Sequence, residues 1–239
     1  MKILEKDPPL AEDCKRPWIL VSLLYPLSSA GLMHIAIYMF GPTILILFYR
    51  YFLRMFYLGS LIFIAGFTLF IGYGIYYVTF CVFDSTKSNK QARQIPEIYF
   101  PDKWELLRQY LLIFASAAIC FFAAVIYYIL TKEMDYKFGI LAGCGLFFFP
   151  MTILSAILFD SISELSPVFI GVSIFKVFFS YLGLCLFFFI IAGCIAAVTI
   201  YGKIPAFLIH GISFYLALVL ANRLGWFYWW NREKLGWGI

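Results

Sequence analysis

Long apolar blocks follow one another from Trp18 to Trp230, and no Asp, Glu, Lys or Arg lies deep inside any of them. A helix that spans a bilayer needs about 20 mostly apolar residues. Residues 138–159 and 177–201 contain no charged residue at all, and each segment is long enough to span. The pattern therefore predicts an all-α, polytopic helical membrane protein.

The blocks divide into six transmembrane spans and two short interfacial helices. The predicted spans are residues 27–49, 56–82, 107–131, 138–159, 178–201 and 204–225. Two blocks are too long for one helix at a rise of about 1.5 Å per residue. Pro26 divides the first block, which leaves residues 18–25 as an interfacial helix. In the other block Ser166 and Pro167 form a typical helix start, so residues 167–176 form the second interfacial helix.

Composition agrees with a single membrane domain. Of 239 residues, 64% are hydrophobic and 13% are charged, whereas about 25% are charged in soluble domains. A transmembrane domain of residues 18–230, with a loop near 84–105, is flanked by an N-terminal tail (1–17) and a C-terminal tail (231–239). The N-terminal tail lacks the apolar segment of a signal peptide, so we expect the first block to remain in the mature protein.

Lys and Arg are distributed unequally between the two sides of the six-span arrangement. The N-terminal tail holds four, residues 84–108 five, residues 160–176 one and the segment from Arg223 onward three, whereas the opposite side holds five. If the first block were re-entrant and did not span the membrane, the two sides would carry equal numbers of Lys and Arg. Because cytoplasmic loops are enriched in Lys and Arg, the count predicts six spans in the inner (plasma) membrane with both termini cytoplasmic.

Tryptophan gives a partly independent check on sidedness. Trp prefers the headgroup level, where its ring is buried and its N–H stays hydrated. All six tryptophans lie on the predicted cytoplasmic face: Trp18, Trp104, Trp226, Trp229, Trp230 and Trp237. We interpret the last four as an aromatic anchor that continues the sixth span into the interface. The alternative is a docking surface for a partner subunit.

Spans 1 and 4 contain a similar proline segment. Thr43 follows Pro42 directly in span 1, Thr152 follows Pro150 closely in span 4, and Ile-Leu comes next in both. Proline frees a backbone carbonyl that can line a cavity. Interrupted helices at matching positions of two halves point to a transport site. The alternative is ordinary bending, since proline kinks are frequent in membrane helices.

The two histidines are His34 in span 1 and His210 in span 6. A bis-His haem needs both at a similar depth on facing helices, whereas these lie in opposite halves of the bilayer. We expect each to be buried and hydrogen-bonded, and the alternative is a single-His ligand or a proton-handling role. The six cysteines show no metal-ligand spacing, so no cofactor or metal site is predicted.

Glycines are placed where close helix contacts can form. Gly59, Gly66 and Gly74 share one stripe of span 2, and Gly139 and Gly143 give a GxxxG match at the start of span 4. Lipid removes the hydrophobic drive between helices, so small residues that allow close approach become the packing signal. The pattern favours a tight bundle and does not by itself predict a dimer.

An interfacial helix, six spans and a cytoplasmic loop between spans 2 and 3 resemble the membrane subunit of an ABC-2-type exporter. The resemblance implies that this loop docks an ATPase through residues 95–106. The chain departs from that family at residues 202–204, a turn too short for its outer re-entrant helices. Residues 165–167 (Leu-Ser-Pro) with the following helix, and residues 224–239, resemble bacterial multi-span membrane proteins of unknown function, which implies no particular activity.

The chemistry-bearing patterns of membrane enzymes are missing from the sequence. It has no H-E-x-x-H motif, no paired intramembrane carboxylates and no phosphate-binding loop. We therefore expect a non-enzymatic integral membrane protein, most simply a structural or accessory subunit of a larger membrane assembly. Its expected partners are the bilayer and other membrane subunits or further copies, and not nucleic acid. The alternative is a transporter or permease subunit with a site between spans 1 and 4.

Overall fold

The computed structural model describes residues 18–51, 59–87, 92–93, 103–161, 163–201 and 204–238. Within these ranges the chain forms eight α-helices and two short 3-10 turns, with no strand. Six of the helices are long and apolar enough to cross a membrane. The predicted all-α membrane class with six spans is therefore confirmed.

The helix bounds agree closely with the predicted ones. The short helices are α1 (Trp18–Leu24) and α6 (Pro167–Lys176), and the long ones are α2 (Ser29–Tyr51), α3 (Gly59–Ser85), α4 (Lys103–Thr131), α5 (Tyr136–Phe159), α7 (Phe178–Tyr201) and α8 (Ala206–Leu235). The 3-10 turns are Tyr25–Leu27 and Ser163–Leu165. The bounds of α6 are the predicted ones, and the largest difference is at the end of α8.

Local chemistry explains where two of these helices begin. Pro167 is the first residue of α6, where the missing N–H of proline costs no helical hydrogen bond. Ser166 occupies the N-cap position, but its side chain makes no capping hydrogen bond. Asp135 caps α5 more fully, because its side chain accepts the backbone N–H groups of Lys137 and Phe138 at 3.1 and 3.0 Å.

The sixth span continues to Leu235, well past the predicted end at residue 225. It stops at Gly236, whose φ of 63° is left-handed, a conformation that glycine adopts without steric cost. Lys176 Nζ of α6 donates to the Leu235 carbonyl at 3.0 Å. Residues 231–235 are therefore part of a helix bound to α6 rather than a separate tail.

The long helices pack around α8. This helix contacts α2, α3 and α7 extensively and also touches α1, α5 and α6, while α4 and α5 pair closely with each other and contact α3. We call the end of the bundle that carries α1, α6 and the C-terminus of α8 the α6 end. The opposite end, where the chain connects α2 to α3, α4 to α5 and α7 to α8, is the hairpin end.

Candidate functional site

The two predicted proline sites lie in different parts of the bundle. Pro42 and Pro150 are both buried, each inside its helix. However, α2 packs on α3 and α8, whereas α5 packs mainly on α4, α6 and α7. Because α3 and α8 also contact α5, they lie between the two proline helices. The described structure does not bring the prolines into one shared site.

The threonines that follow the prolines also differ. Thr43 is half-buried, whereas Thr152 is buried. The Thr152 hydroxyl donates to the Phe148 carbonyl at 3.0 Å and accepts from Cys120 Sγ of α4 at 3.4 Å. Thr152 therefore contributes to the contact between α4 and α5.

The backbone beside Pro150 is hydrogen-bonded by α7. Proline has no N–H, so the carbonyl four residues earlier loses its usual helical donor and the neighbouring turn loosens. In that turn the Phe147 carbonyl accepts the Tyr181 hydroxyl and, at 3.6 Å, Cys185 Sγ. The rings of Phe147 and Tyr181 also meet edge to face at 5.3 Å. The turn before Pro150 is thus a point of attachment for α7.

His34 is buried and held at both ring nitrogens. Nδ1 lies 2.8 Å from the Ala30 carbonyl, and Nε2 lies 3.0 Å from the Tyr73 hydroxyl. A carbonyl can only accept, so Nδ1 carries a proton, and in the neutral ring Nε2 accepts from Tyr73. The expectation for His34 is confirmed. His210 is exposed on α8, so the same expectation is wrong there.

His34 belongs to a buried cluster at the α6 end that sequence analysis did not predict. We call this cluster the polar core, and its members are Tyr25, His34, Tyr77, Cys81, Ser85 and Asn222. Tyr77 stacks on His34 with ring centroids 3.6 Å apart. Asn222 Nδ2 donates to Ser85 Oγ at 3.0 Å, and both side chains are fully buried. The cluster joins α2, α3 and α8 through polar contacts.

The 3-10 turn and the described part of the 84–105 loop cover this cluster. The Ala92 N–H donates to the Tyr25 carbonyl at 3.3 Å, and the Ala92 carbonyl accepts the Ser28 hydroxyl at 2.8 Å. The Tyr77 hydroxyl donates to the Arg93 carbonyl at 3.3 Å. Burial raises the pKa of the Tyr25 hydroxyl, which lies beside Cys81. Tyr25 is thus held neutral beneath residues 92–93.

The geometry of the polar core suits positioning more than chemistry. Inside a membrane protein, polar side chains that bond across helices fix which helices pair and in which register. Among the described residues, no group of three or more His, Cys, Asp or Glu is placed to hold a metal ion. The arrangement supplies a fixed contact between the 3-10 turn Tyr25–Leu27, α2, α3 and α8.

A small cleft lies between α3, α4 and α5 near the α6 end. Its volume is about 10 Å³, and its polar lining residues are Thr79, Gln109 and Asp160, which is room for about one water molecule. Thr79 Oγ1 and Gln109 Oε1 are buried and have no hydrogen-bond partner within the described ranges. The cleft therefore offers two unmatched polar atoms to a water or another small polar ligand.

Asp160 sits at the edge of this cleft and pairs with Arg108. Burial raises the pKa of the Asp160 carboxyl, and the neighbouring Arg108 guanidinium partly opposes that rise. Asp160 also ends α5 in the left-handed conformation, with φ at 51°. The ion pair thus ties the end of α5 to the beginning of α4.

The tryptophans divide into two groups. Trp104 and Trp230 are exposed and Trp229 is half-buried, as an interfacial anchor requires, whereas Trp226 and Trp237 are buried in the protein. The side chain of Trp18, which begins α1, lies outside the described part of the chain. The anchor interpretation needs correction for Trp226 and Trp237.

Trp237 shows why the correction is needed. The chain turns back after α8, and the Trp237 ring packs near Phe159 and Phe169 at centroid distances of 5.3 and 5.7 Å. Its indole N–H donates to Ser173 Oγ of α6 at 3.1 Å. The polar end of the ring therefore finds its partner inside the protein, so Trp237 does not need the hydrated interface.

No protein-family model, curated protein or solved structure matches this chain. The resemblance to ABC-2-type membrane subunits therefore stays a prediction. Of the residues that it assigns to ATPase docking, 95–102 lie outside the described ranges and 103–106 form the first turn of α4.

Proposed function

We propose that this protein is a non-enzymatic structural or accessory subunit of a larger membrane assembly. The observation that carries the proposal is a contrast between glycines of α5. A Cβ at Gly145 would lie 2.6 Å from the Cys120 carbonyl, so α4 occupies that face. Among the described residues, no atom beyond the neighbouring backbone of α5 lies within 4 Å of a Cβ position at Gly139 or Gly143.

The two glycine faces of α5 point in different directions. At about 100° per residue, Gly143 and Gly145 are separated by about 200° around the helix. Gly139 and Gly143 form the GxxxG spacing that lets two membrane helices approach closely. Beside them Ile140 is also exposed. This open face fits a transmembrane helix of another subunit, because lipid chains gain nothing specific from a glycine groove.

A double variant, Gly139→Leu with Gly143→Leu, tests the proposal. The matched control is Gly193→Leu on α7, which changes an equally open glycine outside any GxxxG pair. We expect native mass spectrometry in mild detergent to find the wild type and the control with further subunits, and the double variant as a single chain. A wild type that is a stable single chain in mild detergent and in nanodiscs contradicts the proposal.

A second candidate function is a transporter or permease subunit, and the cleft between α3, α4 and α5 favours it. Transport needs polar groups inside the bundle, and Thr79 and Gln109 place two unmatched oxygens there. The cleft is lined by the second half of α5, beyond Pro150, whereas α2 and Pro42 do not line it. On this hypothesis only one of the two predicted proline helices borders the path.

Thiol labelling distinguishes this second candidate. In sealed vesicles a Thr79→Cys variant is treated with a small, membrane-impermeant thiol reagent, and the unchanged chain gives the background from native cysteines. Labelling above background supports a water-accessible path. Protection of Cys at this position from both sides, in a variant that elutes as a folded protein, contradicts it.

A further inference from the structure

A groove of about 500 Å³ lies between the beginning of α7 and the last third of α8. On its α8 side Arg223, Phe227, Trp230 and Lys234 recur at spacings of three or four residues, so they share one face of the helix. On its α7 side, no atom of the described part of the chain, apart from the neighbouring backbone of α7, lies within 4 Å of a Cβ position at Gly183. The missing side chain at Gly183 leaves this part of the groove open.

The polar lining of the groove is positive. Its ionisable members are Arg223 and Lys234, and no carboxylate lines it within the described ranges. Ser180 adds a hydroxyl, whereas Asn231 uses its side-chain N–H within its own helix, at 2.9 Å from the Phe227 carbonyl. Arg and Lys together bind phosphate and carboxylate groups through charge-assisted hydrogen bonds. The groove therefore has the chemistry of an anion site.

The two cations lie at different levels of the groove. Lys234 lies eleven positions after Arg223, roughly 16 Å along the helix axis. Both side chains line the groove, so cationic groups border it at both levels. The site is thus elongated, and it suits an extended headgroup better than a compact inorganic ion.

The groove continues into an apolar face of α7. Phe179 lines it and is 88% exposed, and Leu186 and Ile190, on the same face further along the helix, are 63% and 55% exposed. A ligand with a charged head and hydrocarbon chains would match both parts at once. A small soluble anion would match only the positively charged part of the groove and not the apolar face of α7.

We propose that this groove binds the phosphate headgroup of an anionic membrane phospholipid, with the acyl chains along the exposed face of α7. The Lys and Arg distribution of the sequence predicts that the α6 end faces the cytoplasm, the side whose leaflet carries anionic lipid. This inference does not depend on the proposed role as an assembly subunit.

Native mass spectrometry of the full chain tests the site with three probes: phosphatidylglycerol, phosphatidylcholine and soluble glycerol phosphate. The double variant Arg223→Gln, Lys234→Gln removes both cations. Its matched control is Arg232→Gln, an exposed Arg on the same helix that does not line the groove. We expect wild type and control to retain phosphatidylglycerol, and the double variant to bind it about tenfold more weakly or worse, as the loss of a hydrogen bond to a charged group implies.

Gly183→Leu supplies a second, charge-neutral test. The substituted side chain enters the open groove, so we expect it to displace phosphatidylglycerol while the elution profile of the protein stays unchanged. The proposal is overturned if the double variant retains phosphatidylglycerol as well as the Arg232→Gln control does. It is also overturned if Gly183→Leu retains phosphatidylglycerol. Equal binding of phosphatidylcholine, or displacement of phosphatidylglycerol by millimolar glycerol phosphate, overturns its assignment to an anionic lipid.

Discussion

The two ends of this bundle are built by different rules. In α3, Tyr77, Cys81 and Val82 near the α6 end have no exposed surface, whereas Leu61 and Leu69 toward the hairpin end are 63% and 66% exposed. One continuous apolar helix is therefore packed into protein near the α6 end, whereas several of its side chains toward the hairpin end are exposed in the described structure. Hydrophobicity alone does not select the packed half, because lipid accepts Leu as readily as a protein core does.

Tyrosine hydroxyls are among the contacts that hold the helices of the bundle together. Among the described residues, four of them donate from one part of the chain to a backbone carbonyl of another: Tyr38 to Phe70, Tyr77 to Arg93, Tyr181 to Phe147 and Tyr215 to Leu23. Each donor brings a large ring to the contact as well as a hydrogen bond. The comparison of the two ends predicts that substitutions at the α6 end cost more than the same substitutions at the hairpin end.

The largest difference is expected between two Gly→Ala variants. A Cβ at Gly225 would collide with the Ser85 side chain and the Val82 carbonyl. At Gly66 no atom of the described residues, apart from the neighbouring backbone of α3, lies within 4 Å of a Cβ position. Overpacking of a dense contact typically costs about 1–3 kcal/mol. We expect Gly225→Ala to lower the thermal unfolding midpoint in detergent strongly, and Gly66→Ala to leave it unchanged or slightly raised. Equal midpoints for the two variants would show that α3 and α8 are not in close contact.

A smaller loss is expected when a single hydroxyl is removed. Tyr181→Phe deletes the donor to the Phe147 carbonyl and keeps the ring. Interhelical hydrogen bonds in membrane proteins contribute about 0.6 kcal/mol on average and up to about 1.7. Tyr136→Phe, at an exposed position beside the hairpin end, is the matched control. We expect chemical unfolding in mixed micelles to show the loss for Tyr181→Phe only, and a loss of similar size in the control would contradict the comparison.

The two ends also differ in the sign of their pH dependence. At the hairpin end, the backbone N–H of Phe138 and the Tyr127 hydroxyl hold the pKa of Asp135 below its usual range. Its stabilising contribution is therefore present above the unfolded pKa, about 3.9, and is lost as the pH falls through the folded value. At the α6 end the pKa of Asp160 is raised, so its contribution is present at low pH and is lost as the pH rises.

Two Asn variants separate these contributions. Thermal midpoints are measured for Asp135→Asn and Asp160→Asn between about pH 3 and 6, a range that brackets the usual carboxyl pKa. We expect Asp135→Asn to lose less stability than the wild type as the pH is lowered across this range. We expect Asp160→Asn to lose less stability than the wild type as the pH is raised across it. Parallel curves for both variants and the wild type would contradict the assignment.

How much the sequence predicts depends on whether a feature is local. Membrane spans must satisfy their own backbone groups, so charge-free length predicts the six helices, and Ser166 with Pro167 predicts the start of α6. Pairing of distant helices leaves no such local mark. Ser85 and Asn222 are 137 positions apart, and nothing near either residue identifies the other.

The tryptophans and tyrosines show the same limit. Trp237 belongs by type to an interface, and only the turn at Gly236 and the nearby Ser173 hydroxyl make it a core residue. The chain contains 17 tyrosines, so their number signals polar contacts between helices but does not identify the four that bond to distant carbonyls. Which glycine packs closely, Gly145 or Gly143, likewise depends on where α4 lies.

The smallest expected effect is at the hairpin end, where backbone conformation can be tested with little interference from packing. Lys132 follows α4 with a φ of 58°, in the left-handed region, and its side chain is exposed. For residues with a Cβ this conformation costs about 1 kcal/mol or more, whereas glycine adopts it without strain. We expect Lys132→Gly to raise the thermal midpoint slightly and Lys132→Ala to leave it unchanged, since Ala keeps the Cβ. An equal rise of the thermal midpoint in both variants would show that the gain comes from loss of the Lys132 charge. The turn between α4 and α5 would then carry no backbone strain.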